Sequence, residues 1–141
     1  MKKSILIISF LLSNFFALAA NFYVAPNGND ANAGDISNPV ETIKRAQALA
    51  SAGDTVYIRG GLYSMREDQI AEYNSIWVYV TKLDKSGISY LAYANEIPIF
   101  DYKNIKPANY RITAFYINGS NIRIKGIEIT GVQVTITTHT Q

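Results

Sequence analysis

The chain contains no cysteine. That absence removes disulfide staples, thiol nucleophiles and Cys-ligated zinc together. A domain of this size without staples has to stand on a hydrophobic core and on backbone ladders. Histidine is nearly missing too: His139 is the single one in 141 residues. No Ser or Asp constellation is recognisable around it, so it reads as a surface residue. Neither sign of charge dominates, with 13 Lys and Arg against 11 Asp and Glu and a formal charge of +2. There is no basic stripe and no nucleic-acid-binding signature, so no nucleic-acid partner is expected. Beyond the first twenty residues there is also no long apolar run, so nothing there predicts a membrane span.

The one apolar run stands at the start. Lys2 and Lys3 precede Ile5 to Leu18, and Ala17-Leu18-Ala19 places small residues where a leader peptidase reads them. This three-part pattern predicts a signal peptide over residues 1–19, cleaved near Ala19/Ala20, and a secreted protein, extracellular or periplasmic. The run is shorter than the ~20 residues of a spanning helix, which makes a retained anchor the weaker alternative. No Cys occupies a lipobox position, so lipid anchoring there is excluded. Cleavage would remove both lysines and leave the mature domain, residues 20–141, near neutral.

Asn21 to Val24 reads as a short first strand ending before Pro26. Asn27 to Asn38 has the Asn, Asp, Gly and Ala content of a loop. Glu41 to Ala52 is the one clear helix, centred on 42–52, with Ile43, Ala46, Leu49 and Ala50 on one face. Thr42 is the expected N-cap, with Asn38 the alternative, and Gly53 the expected C′ residue. From Asp54 the chain turns into short strands rich in Val, Ile, Tyr and Thr. They are Thr55 to Ile58, Ile76 to Thr81, Ile88 to Tyr93, Ile97 to Phe100, Ile112 to Ile117, Ile122 to Lys125, Ile127 to Thr130 and Val132 to Thr137. No helix interrupts them, which argues against a βαβ sheet.

Asn121 to Val132 carries the most information. Ile122 and Ile124 share one face by the two-residue period, and Ile127 and Ile129 share one in the opposite phase. A flat strand would put half of these isoleucines in water. A sharp corner at Gly126 lets both pairs face one core, and Gly131 repeats the device. Short strands joined by corners, all aiming apolar residues inward, describe a solenoid coil. Asn118-Gly119 could instead close a hairpin, which keeps an antiparallel β-sandwich open.

The segments Phe22 to Asp30, Gly34, Asn38-Pro39, Thr42 to Ala46 and Gly53 to Tyr63 resemble the opening of secreted right-handed parallel β-helix proteins. The nearest likeness is to polysaccharide lyase family 9, the pectate lyase L-like enzymes, and Tyr110 to Val134 resembles that family's early coils. The resemblance implies an all-β, single-stranded parallel β-helix of the pectin lyase-like fold, capped by the helix at about 42–52. It implies an N-terminal part, truncated at the C-terminus, of a monomeric secreted pectate lyase. Its partner would be an acidic plant polysaccharide, polygalacturonate, cleaved by Ca²⁺-assisted β-elimination. A Ca²⁺ ion would neutralise the uronate carboxylate, and a lysine base would take the neighbouring C5 proton. That constellation is absent from the sequence, so no catalytic, cofactor-binding or metal residue is assigned, and the fragment itself is expected to be inactive. A non-catalytic surface or carbohydrate-binding β-helix, or a β-helix glycoside hydrolase, fits the fold as well.

Several local features have a plain reading beside a chemical one. Asp30 to Asp35 alternates oxygen ligands like a calcium loop but lacks the closing Glu, so turn chemistry is favoured. Glu67 and Asp68 are adjacent carboxylates, expected to be solvated rather than an acid–base pair. Arg123, Lys125 and Glu128 point away from the isoleucine face; they line a solvent face or a sugar surface. The 10 tyrosines and Trp77 are expected mostly in the core or in ladders, with some as sugar platforms. Asn118-Gly119-Ser120 is a glycosylation sequon only in a host that uses one.

Overall fold

In the computed structural model, which describes residues 18–133, β1 (Asn21–Val24) and α1 (Ile43–Leu49) come first. One coil then runs through β2 (Thr55–Ile58), β3 (Gly61–Ser64), a 3-10 turn (Glu67–Gln69), β4 (Glu72–Asn74) and β5 (Trp77–Leu83). The next holds β6 (Ser89–Ala92), β7 (Pro98–Asp101) and β8 (Arg111–Ile117). A third contributes β9 (Arg123–Lys125) and β10 (Glu128–Thr130).

The strands stack from coil to coil on three walls. Wall A is β1-β2-β6-β9, wall B is β3-β7-β10, and wall C is β5-β8 with β4 at its edge. Every pairing is parallel except β4 with β5. This is a parallel β-helix, and the β-sandwich alternative falls. On wall A, Phe22, Val56, Tyr90 and Ile124 stand in one row. The step between them is 34 residues, the separation that also sets Ser120 against Ser86. Val56, Ile58, Tyr90, Phe100, Val78 and Leu83 are buried in the interior the walls enclose. Burying each such side chain contributes roughly 1.5–3 kcal/mol.

The expected corner at Gly126 is present. Ile124 pairs with buried Tyr90, and Ile129 pairs with buried Phe100, so both point inward despite the phase slip. Gly126 sits at φ 79°, and a Cβ there would lie 2.8 Å from that of Ala92. Gly131 also lies in the left-handed region, at φ 71°. Ile129 stays 48% exposed, because no described strand pairs with the far side of β10. Asn118-Gly119 does not close a hairpin; both N–H groups donate to Leu83 O, at 2.9 and 3.0 Å.

The helix is shorter than the 42–52 read from the sequence. Thr42 is its N-cap and accepts from Arg45 N at 3.0 Å. Ala50 is already extended, so Gly53 is not the C′ residue. Instead Gly53, at φ 97°, turns the chain into β2 and donates to Gly87 O at 2.8 Å. Ile43, Ala46 and Ala50 are buried in the shared core. Gln47 fastens the helix to the coil below. Its amide donates to Lys82 O and Asp84 Oδ1, both at 3.1 Å, and its oxygen accepts from Tyr90 Oη at 3.0 Å.

Two strands were not expected. β3 is short and starts on a glycine, and β4 makes a hairpin with β5 through Ser75, at φ 52°. Of the expected strand Val132 to Thr137, residues 132 and 133 are not in a strand, and 134–137 lie outside the described residues.

Candidate functional site

The outer surfaces of the three walls differ in chemistry. On wall A the outward row begins with Tyr23 beside Tyr57, continues to Leu91, and ends at Lys125. The Tyr23 and Tyr57 rings stack at 5.5 Å. Tyr93, just past β6, presents its edge to both at 5.6 Å. The Arg59 guanidinium lies 5.0 Å from the Tyr93 ring, a cation–π contact. Arg123 and Lys125 are exposed at the third coil and make no ion pair among the described residues. The outward row of wall B instead carries Glu128 beside Ile99 and Leu62, and Asp101 between Ser64 and Thr130. Wall A thus offers flat rings and cations that are unpaired among the described residues, while wall B exposes Glu128 and keeps Asp101 buried and paired with Lys103 at 3.0 Å.

A cleft of about 590 Å³ opens beside wall A, at its corner with wall B, lined by Pro26, Asn27, Arg59, Gly60, Glu96 and Ile97 among others. Arg59 holds the Glu96 carboxyl below the usual carboxylate range, helped by the Gly60 N–H. Wall C has its own aromatic row. Tyr79 and Tyr116 stack at 4.0 Å, and Arg111 sits 5.4 Å from the Trp77 ring. Its Lys82 is taken up by Glu72 at 2.8 Å.

Proton chemistry is poorly provided for. Tyr63, Tyr90 and Tyr102 are buried, and burial pushes each phenol far above its usual range, so none serves as a phenolate base. The Lys82 ammonium is held protonated by Glu72, the reverse of what a lysine base needs. A larger cleft of about 910 Å³ lies beside α1, with Asp30, Glu41 and Asp68 facing Arg45 and Arg66. These carboxylates are occupied. Arg66 takes Glu41 at 2.8 Å and Asp68 at 3.2 Å.

Asp30 accepts from Glu41 N, Thr42 N and Thr42 Oγ1, and Asp35 accepts from Ser37 N and Asn38 N. The 30–35 segment is therefore turn and cap chemistry, with both carboxylates spent on nearby backbone and side-chain donors. Glu67 is in the exposed 3-10 turn, accepts from Lys106 N, and does not join Asp68 in an acid–base pair. Arg123, Lys125 and Glu128 are exposed as expected, the first two on wall A and the third on wall B. Asn118 is exposed. His139 lies outside the described residues. Among the described residues no group of three or more His, Cys, Asp or Glu could hold a metal. They do not fit the calcium site that the resemblance implies.

The tyrosine cluster and the Arg59–Glu96 pair are not evident from the sequence. The signal was present as the recurrence of Phe22-Tyr23-Val24 in Val56-Tyr57-Ile58, one coil later.

Residues 22–140 match a family model described as Pel9A-like, right handed beta helix region. The chain is 36% identical over 86 residues to pectate lyase PEL9 of Emericella nidulans, covering 60% of this chain and 19% of that one. It is 31% identical over 113 residues to pectate lyase L of Dickeya dadantii, covering 77% of this chain and 26% of that one. A solved structure of a rhamnogalacturonan lyase superposes with a TM-score of 0.81 at 40% identity, over 87% of this chain and 31% of that one. The chain therefore spans between 19% and 26% of the length of these curated relatives.

Proposed function

The chain belongs to the Pel9A-like right-handed β-helix family, and on that premise we propose that it forms the cap and first coils of an exported polysaccharide lyase. The substrate class is an acidic pectic polymer. Residues 1–19 act as the leader, and residues 20–141 belong to the mature domain. The observation that carries this reading is the agreement between the relatives and wall A. Two pectate lyases are similar to the chain in sequence, and a rhamnogalacturonan lyase is similar to it in sequence and in fold. Both of their polymers carry galacturonate. Wall A, where tyrosine rings stand in line with Arg123 and Lys125, suits such a chain, because sugar faces pack on aromatic rings and carboxylates pair with Arg and Lys.

In β-elimination a base takes the proton beside the uronate carboxylate, the bond to the leaving sugar oxygen breaks, and a double bond remains. No water enters the product. Within the described residues the chain's part is to hold and orient the polymer, since Lys82 and the buried phenols are tuned away from base chemistry. Calcium dependence is proposed for the whole protein on the same resemblance, with ligands other than the described residues.

Mass spectrometry of the products tests the reaction class. The whole secreted protein should release oligosaccharides lacking the mass of the added water. Products that contain it would identify a hydrolase, and binding without cleavage would identify a carbohydrate-binding protein.

A further inference from the structure

Asp54 is buried, with 8% of its surface exposed, and it stands where the chain turns from the cap into β2. One carboxylate oxygen accepts from Ser51 N at 2.7 Å. The other accepts from Ala20 N, also at 2.7 Å. None of the ion pairs among the described residues uses Asp54. A buried carboxylate whose partners are only neutral amides is costly, because its charge is desolvated without an opposite charge in return.

Ala20 is held at both of its backbone groups. Its carbonyl accepts from Thr55 N at 3.0 Å while its N–H donates to Asp54. Immediately before it the chain is open: Leu18 is 90% exposed, and Ala19 is exposed. On the export reading, the small-residue pattern Ala17-Leu18-Ala19 is the cleavage signal and places the cut at the Ala19–Ala20 bond. The nitrogen released by that cut is the atom already seated on Asp54.

We propose that Ala20 is the first residue of the exported protein, and that its α-ammonium is a structural cation paired with Asp54. The inference rests on the export reading above. Hydrolysis consumes one water. The hydroxyl joins the Ala19 carbonyl carbon, which leaves as a carboxylate on the leader, and the Ala20 nitrogen keeps the bond electrons and is protonated. A neutral amide donor thereby becomes a charged one at the same position, and the buried carboxylate acquires its counter-ion. Processing completes the joint that ties β1 and the cap to the first coil. A different start, such as an added residue in a recombinant protein, restores the amide and loses the charge.

The test begins with the N-terminus of the secreted protein, which should be Ala20. The rate at which that α-amine is acylated at pH 7 is then compared with a variant carrying one extra Gly ahead of Ala20. The extra residue keeps the Ala20 N–H bond to Asp54, so folding is preserved while the amine is displaced. The native amine should react about tenfold more slowly, the effect of one unit of preferential ammonium stabilisation. Asp54→Asn in the Ala20-start protein should remove that protection. Equal rates in the native and Gly-extended proteins would overturn the ion pair while leaving export intact. A mature start at another residue would overturn the assignment of Ala20, and failure to export would remove the reading beneath it.

Discussion

Arg59 reaches across one coil to grip Glu96 with a fork: Nε to Oε2 and Nη2 to Oε1, both at 2.9 Å. The same carboxylate accepts from Gly60 N at 2.6 Å, so the bend between walls A and B closes around one acid. Both side chains are about one-third exposed, which screens the pair. Glu96→Gln should therefore destabilise the fold by only about 1 kcal/mol at pH 7. The sign with pH follows from the direction of the shift. The Glu96 carboxyl titrates below its usual range in the folded state, so its contribution is present above the unfolded pKa, roughly 4.3, and fades as pH falls through the lower folded value. Urea unfolding of both proteins should show a gap at pH 7 that closes in acid. A gap unchanged in acid would mean the charge is irrelevant.

Two glycines separate backbone strain from crowding. Gly53 has φ 97° with nothing within 4 Å of an added Cβ, whereas Gly126 has φ 79° and an added Cβ would meet Ala92 at 2.8 Å. Gly53→Ala should cost about 1–2 kcal/mol, the penalty of the left-handed region alone. Gly126→Ala should cost more, because a corner atom has to move as well. Denaturant midpoints of the two variants check the order, and equal costs would contradict the close approach of the coils.

The cap rests on a small polar knot. Thr42 caps α1, and Asp30 in turn accepts the Thr42 hydroxyl at 2.7 Å. Thr42→Ala should cost about 1 kcal/mol, and so should Asp30→Ala. The double variant should cost less than the sum, because the two share one network. Strict additivity in thermal unfolding would show that the two residues act apart.

If wall A receives an acidic polymer, its rings and cations should contribute separately. Tyr57→Ala should weaken polygalacturonate binding several-fold at any salt concentration. Lys125→Gln should weaken it at low salt and do little at high salt, where exposed charges are screened. Affinity electrophoresis of the secreted variants at two ionic strengths checks both. Tyr79→Ala on wall C is the control and should leave binding unchanged.

Much of the coil was readable from residues alone. The strands at Asn21–Val24 and Thr55–Ile58 are bounded by Pro and Gly and were read as they stand. The reversal of phase around Gly126 betrayed the corner, because only a bend gives both isoleucine pairs one interior. The sequence overstates the helix, since Ala50 and Ala52 favour helix locally while the turn into β2 pulls Ala50 extended. The role of Gln47 is not legible in the sequence, because a polar residue on an apolar helix face has no visible partner until Lys82, Asp84 and Tyr90 are brought to it. The tyrosine cluster on wall A needs the coil length. Tyr23 and Tyr57 become neighbours only once the 34-residue step is known, and short-range periodicity does not reveal it.

Ultraviolet absorbance offers a decisive experiment, because elimination leaves a conjugated double bond that hydrolysis does not. The whole secreted protein is incubated with polygalacturonate and, separately, with rhamnogalacturonan, each with calcium and with a chelator. Absorbance should climb steadily on at least one polymer with calcium present. A flat trace on both, from protein shown to be folded and exported, would contradict the assignment of this chain to a pectic lyase.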